Sequence, residues 1–294
     1  MQDFLELFIS ACSTGAIYGL VALSYLLMIR PTGIINFAVG EWCMVGAFAA
    51  FTALTLVNLP YIVAIAVVVI FMLLIGWFTE RVAVRPLVER GAPVLGPILA
   101  LLGMLVIFRE GTSIFFGADQ YSVPYPFGFK RIEIGPFGGA PQSFYIIAAT
   151  IVIFIAAWYF FERTVWGRIF EAVAINRRAA ALMGINLRRV QVLAFAFGAA
   201  VAGMAGMLIS PNTSAHWLMG LPLAIQGFSA LIIGGVGRVE GALLGGLILA
   251  FVEQLTVRYA PIPSGLSMGV PLLLLIIFLL VRPTGLLKPK EAKQ

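Results

Sequence analysis

The apolar positions of this chain fall in long unbroken runs, not on one face of a helix or one side of a strand. Such runs occupy 7–29, 37–57, 61–79, 93–116, 144–161, 191–210, 222–236, 242–258 and 267–281. A helix needs about 20 mainly apolar residues to cross the hydrocarbon layer of a bilayer. The pattern therefore predicts an all-α, polytopic transmembrane helical bundle of about eight to ten spans. Two of the nine segments read differently from the rest. The seventh is short, and Gly234-Gly235-Val236-Gly237-Arg238 behind it predicts a turn back inside the membrane. The stretch Ile34 to Gly40 follows the helix stop Arg30-Pro31-Thr32-Gly33 and predicts a break. Irregular backbone at depth is tolerated only where it is buried in protein or lines a water-filled cavity.

Composition agrees with a lipid environment. Of 294 residues, 61% are hydrophobic and 11% charged, where a soluble domain carries about a quarter charged. The length suits one membrane domain, 1–294, with no soluble appendix. Asp3 and Glu6 ahead of the first run, with no Lys or Arg before Arg30, read against a signal peptide. The net charge of +6 does not point to nucleic acid, because the basic residues sit in short connections between apolar runs. If 162–190 is cytoplasmic, alternation places 15 of the 19 basic residues on that side. The exceptions are Lys130, Arg131, Arg258 and the intramembrane Arg109. This bias predicts the N-terminus outside and the C-terminus inside. The Pro-, Gly- and aromatic-containing segment 117–143 then becomes the large external loop. Cys12 and Cys43 read as two buried thiols.

Small residues mark helix contacts. Gly15-xxx-Gly19, Gly241-xxx-Gly245 and the stripe Ala199, Ala202, Gly203 and Gly206 let backbones approach closely. Trp77, Trp158 and Trp166 lie near segment ends, as interfacial Trp does. Arg-Pro-Thr-Gly occurs at 30–33 and 282–285, ending an apolar run each time.

No enzyme constellation stands out. The one His, His216, sits in a predicted external turn. No Gly-x-x-x-x-Gly-Lys-Ser/Thr phosphate loop and no zinc spacing occur. The informative stretch is Gly33-Ile34-Ile35-Asn36-Phe37-Ala38-Val39-Gly40-Glu41, which carries Asn36 and Glu41 into the membrane. Intramembrane charges usually face a cavity or a partner; a snorkelling carboxylate is the plainer reading of Glu41. Arg109-Glu110, adjacent and so on different helix faces, reads as a pair of polar anchors near the outer interface. Gln226, Ser229, Glu240, Glu253 and Gln254 suit interhelical hydrogen bonds. The connection 162–190 is the longest predicted cytoplasmic loop. Asn176 predicts the cap of a short helix, Arg177 to Met183, with Gly184 as its stop. Ringed by arginines, that helix suits docking on a soluble partner or lying on anionic lipid.

Taken together, these segments resemble the permeases of ABC importers for branched-chain amino acids, over nearly the whole chain. The resemblance is carried by Gly33 to Glu41, Leu101-Leu102-Gly103-Met104 with Arg109-Glu110, Gly167-Arg168, Ala179-Ala180 with Gly184-Ile185, Ala230 to Gly237 with Gly241, and Arg282-Pro283-Thr284-Gly285. Many members of that family carry His where this chain has Val39. The resemblance implies a permease of the type II ABC importer kind in a bacterial inner membrane. It implies a second permease subunit, the same or related, two cytoplasmic ATPase subunits and an external solute-binding protein. ATP and Mg would sit on the ATPases, with no cofactor, metal or catalytic residue on this chain. Alternating access would run through 162–190. Gly167, Arg168, Asn176, Arg177, Arg178, Ala179, Ala180, Gly184 and Ile185 become the ATPase coupling contact. Asn36, Gly40 and Glu41 become residues that shape or line the path. The competing expectations are an ion-driven secondary transporter using Glu41 or Glu110, and an ABC permease for a sugar, an amide or urea.

Overall fold

A computed structural model describes residues 2–126, 132–134, 137–139, 141–259, 269–282 and 285–287. Lys130, Arg131, Lys288, Lys290, Lys293, Pro283 and Thr284, invoked above, lie outside them.

The chain begins with α1, Gln2–Thr32, about 46 Å long at 1.5 Å per residue. There follow α2, Val39–Phe51, ending in a π-helical turn at Thr52–Leu56, and α3, Tyr61–Thr79, ending in a second π turn at Glu80–Val84. Next come α4, Arg85–Glu89, and α5, Leu95–Phe116. Two short antiparallel strands, β1 at Ile132–Ile134 and β2 at Phe137–Gly139, lie within the segment expected to be a plain loop. Beyond them are α6, Pro141–Arg163; α7, Val165–Ile175; α8, Arg177–Leu182; and α9, Leu187–Thr213. The chain closes with α10, Gly220–Gly234; α11, Val239–Tyr259; and α12, Gly269–Val281.

Among the described residues, seven helical stretches are long and apolar enough to cross a membrane, and α10 and the apolar part of α12 are shorter. Together they account for the nine runs, with the seventh short as expected. At 15 residues, α10 covers about 22 Å, less than the roughly 30 Å hydrocarbon core.

The bundle is organised around α1, α2 and α9, whose side chains are mostly buried. The helices α3, α5, α6 and α12 ring this centre and turn Ile62, Ile70, Ile114, Phe115, Val152 and Leu280 outward, as side chains solvated by lipid tails do. Between lipid-compatible helices, packing rather than the hydrophobic effect drives association, so small residues set the contacts. Gly15 and Gly19 of α1 meet Leu247 and Leu243 of α11, while Gly241 and Gly245 meet Gly234 and Ala230 of α10. Helix α9 divides its small-residue contacts between two neighbours. Gly203 and Gly206 meet Gly46 and Cys43 of α2, and Ala196 meets Gly76 of α3. Both cysteines are free thiols, but only Cys43 is buried as expected; Cys12, in the first half of α1, is half-buried.

The predicted break is real. Helix α1 ends at Gly33, with φ of +68°, whose N–H bonds the Ile29 carbonyl at 2.8 Å in an αL cap. Residues 33–38 are non-helical. The Thr32 hydroxyl accepts from the Ile34 N–H at 3.1 Å, and the Asn36 side-chain oxygen accepts from the Ala38 N–H at 2.9 Å. Within the turn Ile34, Asn36 and Ala38 are nearly inaccessible, while Gly33 and Phe37 are exposed.

The α2–α9 crossing yields a contrast in sign. A Cβ at Gly206 would strike the Cys43 backbone, whereas Gly103 of α5 has nothing within 4 Å. Gly206→Ala should lower stability by about 1–3 kcal/mol, the usual cost of overpacking. Gly103→Ala should raise it by up to about 1 kcal/mol through helix propensity. Thermal unfolding of the two purified variants in detergent measures both.

Candidate functional site

Two regions collect the candidate residues, one in the middle of the bundle and one at the end that carries α7 and α8.

The middle region is where two helices begin inside the protein. Helix α2 starts at Val39, after the break, and α10 starts at Gly220, after a turn that follows α9. Gly40 is packed against Gly220 and Ala224, so the two helix starts touch. Glu41 lies in the first turn of α2 and is 1% exposed. Its carboxylate presses on Gly220 so closely that a Cβ there would fall 2.5 Å from Oε2. A helix N-terminus carries partial positive charge and suits a carboxylate.

The second partner of Glu41 is Arg109 of α5, with Nε 3.7 Å from Oε1. This corrects the expectation for Arg109: it does not snorkel to an interface but turns inward to the buried acid. The register is parallel, because Phe48 and Phe116, each seven residues on, also stack at 4.6 Å between centroids. Arg109 stands about 21 Å along α5 from Leu95. Neither Glu41 oxygen nor the Arg109 Nε has a hydrogen-bond partner among the described residues. Glu110, the next residue, faces away from the bundle and is exposed. Asn36 is fully buried, and its side-chain oxygen holds the turn at Ala38. It shapes the break and presents no polar atom to a cavity.

A cleft of 530 Å³ lies between α2, α3 and α5. Val45, Phe48, Phe71, Ile107 and Phe115 line it with no charged side chain, so it offers nothing to a zwitterion. Elsewhere in the interior, Tyr18 donates to Glu253 at 2.7 Å and Gln226 donates to it at 3.4 Å. Gln226 and Glu253 thus act as interhelical glue, as their sequence pattern suggested.

The end region is built from three side-chain caps. Thr164 accepts from the Gly167 N–H, Asn176 from the Ala179 N–H and Asn186 from the Arg189 N–H, at 3.1, 2.9 and 3.1 Å. They start α7, α8 and α9 respectively. Helix α8 stops at Gly184, φ +83°. There Ile185 N–H reaches the Ala180 carbonyl at 3.1 Å and Gly184 N–H the Ala181 carbonyl at 3.0 Å, the paired bonds of a Schellman motif. Gly167 sits against the Phe160 and Phe161 backbone, which holds α7 close to α6. Ala180 is buried, while Arg168, Arg178 and Ala179 are exposed. Leu182 and Met183 are 89% and 83% exposed and form an apolar tip beside Arg178.

Arg177 departs from the expected ring of outward arginines. It turns into the protein and donates to the Thr32 carbonyl at 3.4 Å and the Gln191 side chain at 3.1 Å. Gln191, Glu80 and Gly220 escaped the sequence reading. Each matters through a partner on a distant helix, and only Glu80, an acid closing an apolar run, carried any local signal.

With this geometry in view, comparison with known proteins is specific. The family described as "Branched-chain amino acid transport system / permease component" matches residues 7–279. The chain is 31% identical to the Salmonella typhimurium high-affinity branched-chain amino acid transport system permease protein LivH, over 99% of this chain and 97% of that one. It is 26% identical to the Haemophilus influenzae ribose import permease protein RbsC, over 81% and 73%. Among solved structures, PsaBC from Streptococcus pneumoniae superposes with a TM-score of 0.52 at 10% identity, over 95% of this chain and 91% of that one. That likeness concerns the fold alone. The protein is thus a multi-pass membrane transport permease. It belongs to the branched-chain amino acid transport permease family.

Removing one member of a buried ion pair strands the other, at a cost of up to about 3–5 kcal/mol. Glu41 is 1% exposed and Arg109 23%, so the stranded carboxylate is the worse case. Arg109→Gln should therefore destabilise more than Glu41→Gln, and the double variant should recover part of the loss. Thermal unfolding of the three variants in detergent tests this order.

Proposed function

We propose that this chain is the permease subunit of an ATP-driven ABC importer that carries branched-chain amino acids across a bacterial inner membrane. The observation that carries the reading is the exposed end of α8, Leu182 and Met183 with Arg178 beside them, on a helix capped at both ends. An apolar tip held rigidly outside a membrane bundle is a poor surface for water and a good one for a groove on a soluble subunit. In this reading, α8 and its neighbours Gly167, Arg168, Asn176, Ala179, Gly184 and Ile185 form the contact with an ATPase. Arg177 supports that contact from behind.

The solute assignment draws on the kinship to LivH, at 31% identity. The ribose permease relation is weaker, at 26% over a shorter stretch. The middle region supports a transport path. Two helices starting within the membrane, with their N-termini at one point, is an arrangement that serves polar solutes in transporters. Glu110 faces out of the bundle one residue from the buried pair. A charge at that depth is poorly tolerated by lipid, so its face of α5 belongs to a water-filled path shared with a second permease subunit. Gly40 and Glu41 border that path and Asn36 shapes its wall. An ion-driven transporter is the weaker reading, because Glu41 is matched by Arg109 and not held ready for a cation.

In the full assembly there would be two permeases, two cytoplasmic ATPases that bind ATP and Mg, and an external solute-binding protein. This chain would hold no cofactor. Its N-terminus would lie outside and its C-terminus inside, as the basic residues suggest.

Affinity purification of the tagged chain in mild detergent tests the reading. Two nucleotide-binding subunits should accompany the wild-type chain. Leu182→Asp/Met183→Asp should lose most of them while keeping the thermal stability of the wild-type permease. Retention of the ATPases by that variant would place the contact elsewhere, and their absence from the wild type would contradict the importer.

A further inference from the structure

We propose that Gln191 and Glu80 form a buried relay that passes movement of α8 to the π-helical turn at the end of α3. The inference rests on the reading of α8 as the ATPase contact.

The chain of bonds is continuous. Arg177, the first residue of α8, donates from Nη2 to the Gln191 side-chain oxygen at 3.1 Å. The Gln191 amide then donates to Glu80 Oε1 at 3.1 Å. Glu80 accepts from Arg85 Nη2 at 2.6 Å and Nε at 3.3 Å. Four elements are thereby tied together: α8, α9, the π turn of α3 and the start of α4. A branch from Arg177 to the Thr32 carbonyl adds the end of α1, beside the break that precedes Glu41. Among the described residues, α8 makes no other side-chain hydrogen bond to another element.

Three features argue that this is a transmitting contact and not a plain anchor. The first is burial. Glu80 is 0%, Gln191 4% and Arg85 8% exposed, so water cannot replace the bonds when the parts shift. The second is the gradient of tightness. The Glu80–Arg85 pair is buried and bidentate, with one contact at 2.6 Å, whereas Arg177 is half-exposed and holds each partner by a single bond, at 3.1 and 3.4 Å. Strain applied at α8 therefore yields at Arg177 or moves the inner pair as a unit. The third is the element at the far end. Glu80 opens a π turn, Glu80–Val84, a wide and less regular turn frequently found at functional sites.

The bonds are also directional. Gln191 accepts from a cation on one side and donates to an anion on the other, which a carboxylate in its place cannot do. Gln191→Glu sets two carboxylates against each other. Adding Glu80→Gln restores an unbroken chain: Arg177 and the new amide both donate to the new acid, and the amide oxygen accepts from Arg85.

The test uses the complete complex, permease with its ATPases and binding protein, in proteoliposomes. The readout is ATP hydrolysed per solute taken up. Gln191→Met and Gln191→Glu should each raise this ratio by about five-fold or more, the low end of usual coupling effects. The assembly should keep its composition, and Gln191→Met its thermal midpoint, while Gln191→Glu should lower the midpoint and the reciprocal variant restore it. The reciprocal Gln191→Glu/Glu80→Gln variant should return the ratio to the wild-type value. A wild-type ratio in both single variants overturns the relay, and so does a reciprocal variant no better than Gln191→Glu. If neither Gln191→Met nor the reciprocal variant yields folded complex, the residues are structural and the relay is overturned. A wild-type complex with no ATP-driven uptake is a different failure, since it removes the importer reading itself.

Discussion

Within a membrane, a helix can stop and restart only if each freed N–H and C=O finds a partner inside the protein. Residues 33–38 meet part of that demand with local means. Gly33 bonds back to Ile29, Thr32 takes the Ile34 amide and Asn36 takes the Ala38 amide. With these bonds holding the turn, α2 can begin inside the bundle and set Glu41 against α10 and Arg109. The Gly46–Gly203 and Cys43–Gly206 contacts then hold α2 on α9 at backbone distance. With a regular helix through 33–38, the buried acid would have neither its helix terminus nor its arginine.

The two candidate regions stand at opposite ends of this constraint. Thr32 closes α1 just before the break, and its carbonyl is also a partner of Arg177 next to α8. The polar cluster of Arg177, Gln191, Glu80 and Arg85 therefore touches the same joint that precedes α2 and Glu41. Peripheral helices α3, α5, α6 and α12 show lipid-compatible faces. The charge of Glu110 on α5 departs from that rule, and charge at such depth marks function more often than packing.

Much of this was legible in the sequence because its physical cause is local. Span positions follow from apolar length, the break from Pro31, Gly33 and Asn36, and α8 from Asn176 and Gly184. Glycine stripes marked the close helix contacts, though not which helices would meet. What escaped reading depends on residues far apart in the chain. Glu41 meets Arg109 and Gly220 only after the bundle assembles, and Glu80 meets Gln191 across 111 positions. A lone arginine in an apolar run looks the same whether it snorkels or turns inward, so Arg109 was misplaced and Arg177 expected to face out. The β1–β2 hairpin carries too little periodicity in three-residue strands to be read at all.

The central claim is that ATP hydrolysed on the α8 side drives solute through this bundle. The most direct measurement is uptake of radiolabelled leucine by proteoliposomes holding the permease, its ATPases and its binding protein. ATP would be confined to the α8 side, and the assay run with and without a protonophore. The account predicts uptake that requires ATP and the binding protein and is indifferent to the protonophore. Uptake that proceeds without ATP and collapses when the ion gradient is dissipated would contradict it.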